Sequence, residues 1–217
     1  MATAAAAVAA AGCGGATQPR ATIASAGATR PPATTAGAVA EPYADLVPAD
    51  DVPAAMRAHA VAPGSAAARR LARRAAAYRR ATEHGMPVGL IVLPRDERVV
   101  PINAGLDQAT IDRQPGWYER SHLPGEGRLI YVAGHNRTHG GPFHAVASAR
   151  RGDPIVVSLP YATARYTVIS RRQESERSLG LLRPGRRELL RLQTSTYPPG
   201  HHRWIVDARL DALIPNG

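Results

Sequence analysis

The chain has 217 residues and a formal net charge of +10, with 27 basic residues against 17 acidic ones, and every basic one is arginine. That length allows one domain plus a tail, or one large domain. The single cysteine, Cys13, excludes an intramolecular disulfide, and no stretch approaches the ~20 apolar residues that a membrane-spanning helix needs.

An alanine-rich, arginine-rich, lysine-free composition is most simply that of a GC-rich genome. Read functionally, the basic balance calls for an acidic partner: anionic lipid, wall polymer or nucleic acid.

The first 40 residues are rich in Ala, Thr, Gly and Pro and contain no acidic residue. Such a segment buries too little apolar surface to offset the entropy of ordering its backbone. Residues 1–48 are therefore read as a disordered leader or signal remnant. Small residues leading into Gly12-Cys13-Gly14-Gly15 look like the end of a lipoprotein signal, in which Cys13 would be acylated. The basic start of a secretory signal is missing, so an unstructured leader stands beside lipidation as the alternative.

Residues 49–84 form a linker and a basic helix. Arg69-Arg70, Arg73-Arg74 and Arg79-Arg80 recur near helical spacing around Leu71, Ala75 and Tyr78, and Gly85 and Pro87 end the helix. It is read either as a solvated lead-in packed on the following domain or as a surface for anionic membrane. Nucleic acid is not expected, because no aromatic stacking platform accompanies the charge.

From residue 85 the pattern changes to short strands. Val88–Leu93 and Val99–Ile102 flank Pro94-Arg95-Asp96-Glu97 as a hairpin. Asp107 to Arg113 has helical character, whereas Pro115–Tyr118 and Leu123–Gly127 carry loop signals. Further strands are expected at Leu129–Ala133, Pro154–Leu159, Ala164–Ser170, Leu189–Thr194 and Trp204–Ala208. Seven or eight short strands with little helix predict an all-β domain over 85–217, a closed or nearly closed antiparallel barrel.

Three strand ends in this domain carry chemistry. Leu129–Ala133 delivers Gly134-His135, followed by Gly140-Gly141-Pro142 and a helical stretch from Phe143 to Ala149. Leu192-Gln193-Thr194-Ser195 ends another strand, and Arg203 opens the last. Imidazole titrates near neutral pH and suits a proton shuttle, a hydroxyl is a nucleophile, and a fixed guanidinium suits an oxyanion. His135, Ser195 and Arg203 are the candidate catalytic residues for acyl transfer.

The run Ala133-Gly-His135 through Pro142-Phe143 to Gly152-Asp153, with Leu192-Gln-Thr-Ser195 and Arg203 downstream, resembles sortases, the cell-surface transpeptidases of mostly Gram-positive bacteria. The resemblance covers roughly residues 88–210. It implies a sortase-like barrel, an extracytoplasmic location, and a donor that is the C-terminal sorting signal (LPxTG-like) of a surface protein. It further implies an acyl-enzyme on residue 195 and release by a peptidoglycan or pilin amine. The family carries Cys where this chain carries Ser195, and its pattern is a His–Cys pair with no orienting carboxylate. A serine without such a third group attacks weakly. An impaired transpeptidase and an inactive sortase-fold module that binds sorting signals or partner proteins both follow.

No cofactor is expected, since phosphate loops and dinucleotide fingerprints are absent. His135, His139, His144, His201 and His202 match no strong metal-ligand spacing, so no metal is expected either. Ser195 also lies outside any Gly-x-Ser-x-Gly elbow.

Overall fold

A computed structural model describes residues 60–93 and 98–216. The leader, Cys13, residues 49–59 and the Pro94–Glu97 turn lie outside the described residues.

Helix α1 (Ala66–Ala81) begins at Ser65, whose side chain accepts from the Ala68 N–H, so one of the helix's unpartnered N–H groups is satisfied. Leu71 and Ala75 are buried against the domain, and the Tyr78 hydroxyl donates to the Val88 carbonyl at 2.9 Å. The thin apolar stripe is thus consumed by packing. Arg79 turns inward to Glu126 at 3.0 Å, while Arg69, Arg70, Arg73 and Arg74 stay exposed. No described helix is long and apolar enough to cross a membrane.

Eight strands close into a barrel: β1 (Pro87–Val92), β2 (Val99–Ala104), β3 (Gly116–Trp117), β4 (Leu129–Ala133), β5 (Pro154–Leu159), β6 (Ala162–Ser175), β7 (Leu189–Ser195) and β8 (His202–Pro215). Their order around the barrel is β1-β2-β3-β4-β7-β8-β6-β5. Closure gives each strand a neighbour on both sides, although β6 over residues 170–175, past its β5 partner, and β2 before Asn103 are paired on one side.

The expected antiparallel sheet is mixed. The β2–β3 and β4–β7 pairs run parallel; the others are antiparallel. Parallel neighbours need a crossover rather than a tight turn. The first crossover holds helix α2 (Gln108–Arg113), and the second is the whole β5–β6 excursion.

The stretch Pro115–Tyr118, expected as loop, contributes the two-residue strand β3. Trp117 is buried, and its Nε1–H donates to the His122 carbonyl at 3.0 Å. Burial of that indole holds β3 in the gap between β2 and β4, where loop signals alone predict nothing.

Two apolar clusters divide the strands by face, as the two-residue period of a strand requires. Ile130, Val132, Leu190, Leu192, Val206 and Ala208 point into the barrel core with Trp117, Phe143 and Tyr166. Tyr131, Ala133 and Ile205 point outward, where Leu181 covers them with Leu106, Tyr118 and Leu182. Leu179–Leu182 forms a 3₁₀ turn, so β4, β7 and β8 carry an apolar strip on the outer wall of the barrel.

Candidate active site

The site is built at one end of that outer strip. β7 buries alternate residues, and with Leu190 and Leu192 inside, Arg191, Gln193 and Ser195 face outward. The β7–β8 register sets Ser195 directly opposite Arg203. The β4–β7 register pairs Ala133 with Gln193. Both chains then run two residues further, to His135 and to Ser195.

Local hydrogen bonds extend this pairing past the end of β4. The Gly134 N–H donates to the Gln193 carbonyl at 3.1 Å, and the buried Thr194 hydroxyl donates to the Gly134 carbonyl at 2.8 Å. Asn136, itself buried, donates its side-chain N–H to the Ser195 carbonyl at 2.7 Å, and its Oδ1 lies 3.1 Å from His144 Nδ1. The His135 carbonyl accepts from the Phe143 N–H at 2.9 Å, which folds the Gly140–Pro142 turn back onto helix α3 (His144–Ser148). Gly134 is needed for this approach: a Cβ there would stand 2.9 Å from the Phe143 ring and 3.1 Å from Pro115.

His135 is mostly buried, with its side chain 19% exposed. Its Nε2 lies 2.8 Å from Asp112 Oδ1. A carboxylate only accepts, so Nε2 carries a proton in this bond, and in the neutral ring the lone pair is then on Nδ1. The His139 ring stacks on His135 at 4.4 Å between centroids and 24° between planes. Asp112 lies on α2, a helix capped by Asp107, and Gln108 donates to the same Oδ1 from one turn back at 2.5 Å. The His135 hydrogen bond, with further help from Gln108 and the charges of His139 and His135, holds the Asp112 carboxyl below the usual range.

Asp112 is the site residue that the sequence pattern missed. It belongs to another element, it matches no motif, and the resemblance implied no orienting carboxylate. The same three side chains also bear on the absence of an expected metal. Asp112, His135 and His139 offer donor atoms all within 4.8 Å of one another, a set able to hold a divalent ion. An ion held through His135 Nε2 would displace the Asp112–His135 hydrogen bond.

Arg203 is opposite Ser195 in register, but its fork is engaged elsewhere. One arm donates to Glu176 Oε2 at 2.7 Å, and the other to the Gly200 and His202 carbonyls at 2.6 and 2.9 Å. Glu176 also takes the His201 ring at 2.8 Å, and these bonds hold its carboxyl below the usual range, the His201 bond first. The charge of Arg203 still reaches the outer strip. Burial pushes the Tyr131 hydroxyl well up, and Arg191 and Arg203 oppose that push.

On the strip itself the Tyr131 hydroxyl donates to Gln193 Oε1. A cleft of about 240 Å³ adjoins the site past Asn136, between His144, Tyr197 and Trp204.

Comparison with known proteins bears on this arrangement. Residues 91–211 match the Sortase domain family model. Sortase D of Bacillus subtilis (strain 168) is 25% identical over 118 residues, and the match covers 54% of this chain and 57% of that protein. Sortase E from Streptomyces avermitilis is 26% identical with a TM-score of 0.53, covering 61% of this chain and 93% of that one. Sortase E1 from Streptomyces coelicolor, solved with a tripeptide in its active site, is 27% identical with a TM-score of 0.53, covering 62% and 94%. A domain match over more than half of the chain, on a closed barrel of the same architecture, is decisive: the chain belongs to the sortase family.

Proposed function

We propose that the protein is a sortase-type transpeptidase acting on C-terminal sorting signals, LPxTG-like, outside the cytoplasmic membrane. The observation that carries this reading is the register: Ser195 opposite Arg203, and level with His135, at the end of an apolar strip. Leu106, Tyr118 and Leu182, the partly exposed residues over the buried Tyr131, Ala133, Leu181 and Ile205, offer an apolar surface for the side chains of an extended peptide.

In this reading Ser195 Oγ attacks the scissile carbonyl carbon and gives its proton to His135. Arg203 supplies positive charge toward the oxyanion. Collapse breaks the C–N bond, the leaving amine takes the proton back from His135, and an ester on Ser195 remains. A wall or pilin amine attacks that ester and regenerates the hydroxyl; water in its place gives hydrolysis. The exposed Arg69, Arg70, Arg73 and Arg74 are the surface that would rest against anionic lipid or wall polymer.

A second reading is a module that binds sorting signals without turning them over. The hydroxyl at residue 195 and the engagement of Arg203 by Glu176 favour it.

Both readings meet in one experiment. The protein and its Ser195→Cys variant are incubated with sorting-signal peptides and an amine, and adducts on residue 195 and joined products are measured by mass spectrometry. The transpeptidase reading expects product from the natural form and a higher rate from the thiol, at little packing cost. Peptide that is retained but left intact by both folded forms supports the binding module. Peptide that is neither retained nor cleaved removes both.

A further inference from the structure

We infer that Asp112, His135 and Ser195 form a serine-type catalytic triad, so that this barrel carries out acyl transfer through a hydroxyl rather than a thiol. The inference deepens the proposed function at the same site and rests on that reading only for the choice of Ser195 as nucleophile.

A hydroxyl at a catalytic position is useless without a base that is both near and oriented, because serine does not ionise near neutral pH. A thiol needs less, since it lies only a unit or two from ionising. Replacing the thiol by a hydroxyl therefore puts a demand on the histidine. A carboxylate bound to the far nitrogen of the ring would meet it, by fixing the tautomer and stabilising the imidazolium.

Asp112 is placed for that task. Its 2.8 Å bond to His135 Nε2 puts the basic lone pair on Nδ1. Gln108 fixes the carboxylate from the same helix, and the stacked His139 ring restricts the plane of His135. The nucleophile's backbone is held by the residue next to the base, through the 2.7 Å bond from Asn136 to the Ser195 carbonyl. Base and nucleophile are thus referenced to each other by the chain itself. Asp112 acts through His135 and is a positioning residue. The same logic accounts for two things at once: a serine where the family has cysteine, and a carboxylate where the family pattern implies none.

The test needs no knowledge of the natural substrate. An alkyl fluorophosphonate is attacked by an activated serine: the Oγ–P bond forms, the P–F bond breaks, fluoride leaves, and His135 takes the hydroxyl proton and passes it to water. Intact mass and peptide mapping of the full chain, in EDTA so that no ion occupies Asp112 and the two histidines, follow the modification. The natural form is expected to be phosphonylated at Ser195. Asp112→Asn should slow this on the order of 10²- to 10⁴-fold, by analogy with loss of the aspartate in serine protease triads. Asp112→Glu should restore part of the rate. In a Ser195→Cys background, Asp112→Asn should change alkylation of the thiol by less than about tenfold, because a thiol needs no general base of this kind. That difference between backgrounds is what a merely structural role would not produce.

A second readout is independent of rate. Nitrogen-15 spectra of His135 should show the Nε2–H tautomer, and Asp112→Asn should change it. The inference fails if folded natural protein leaves Ser195 unmodified, or if Asp112→Asn reacts at the natural rate. It fails also if the His135 tautomer is Nδ1–H. Labelling of Ser195 without turnover of any sorting-signal peptide would leave the triad standing and remove the proposed substrate.

Discussion

Asp207 gives the sharpest stability test of the wall that carries the site. It lies on β8 opposite Arg191 of β7, and both point outward. Arg191 binds it through two atoms, Nε to Oδ1 at 2.6 Å and Nη2 to Oδ2 at 2.9 Å, and Arg172 adds a third bond at 2.8 Å. The Asp207 and Arg191 side chains are only 9% and 11% exposed, whereas Arg172 is 35% exposed and its share is screened. In Asp207→Asn the nearly buried Arg191 guanidinium loses its counter-charge, a change that costs about 3–5 kcal/mol when one partner of a buried pair is removed. For a domain of this size each kcal/mol moves the melting temperature by about 2–4 °C, so a fall of roughly 6–20 °C is expected in thermal unfolding. Asp211→Asn is the internal control. Its ion-pair partner Arg209 is 64% exposed at 3.5 Å, and the Asn oxygen can still accept from the Thr167 hydroxyl, so the change should cost no more than about 1 kcal/mol.

The pH dependence follows from the same contacts. Burial pushes the Asp207 carboxyl up, but the Arg191 and Arg172 bonds outweigh it and hold the group below the usual range. A depressed carboxylate contributes stability above its unfolded value, about 3.9, that is lost as pH falls through the folded value. The gap between the natural form and Asp207→Asn should therefore be full at neutral pH and narrow below about pH 4. A neutral-pH loss under 1 kcal/mol, or one that is unchanged in acid, would refute the argument. Arg191 also holds the Leu181 carbonyl at 2.7 Å, so the variant should loosen the apolar wall as well.

Other expectations are simpler. Gly134→Ala drives a methyl to 2.9 Å from the buried Phe143 ring, with Pro115 close behind, and should cost about 1–3 kcal/mol in denaturant unfolding; an unchanged midpoint would contradict the close approach. His84 should titrate above its ordinary value of about 6.5 in histidine NMR spectra, chiefly through its hydrogen bond to Glu119 and then the charges of Glu119 and Asp107. Its contribution to stability is then full below that ordinary value and is lost as pH rises through the folded one. Glu119→Ala should bring the titration midpoint down, and a natural midpoint below 6.5 would overturn the assignment.

Much of the fold was legible because most strands are short, apolar and separated by turn residues, although β6 and β8, at 14 residues each, run past the expected Ala164–Ser170 and Trp204–Ala208. Leu129–Ala133 and Pro154–Leu159 have the same bounds in sequence and structure. The parallel pairs were not legible, since alternation records which face a residue takes and nothing about its neighbour's direction. Gly116-Trp117 reads as a turn, and only burial of the indole makes it a strand. At the site, His135, Ser195 and Arg203 stand out because each is tied to a strand end. Asp112 and Glu176 do not, because their contacts are made across 23 and 27 residues of chain and leave no periodic trace.

The seam between β4 and β7 has a consequence for the order of assembly. β5 and β6 meet across a two-residue turn, so that hairpin can close locally. The Asn136–Ser195 bond instead joins residues 59 apart, beside a parallel pair with no short connection. Long-range parallel pairing pays its loop entropy before it gains contacts, and it is slow for that reason. His135 and Ser195, the proposed base and nucleophile, sit on opposite sides of this seam. On the proposed triad, a partly folded chain has its hairpins and its separate functional groups but no chemistry, and labelling of Ser195 is expected to report that this strand pair has zipped.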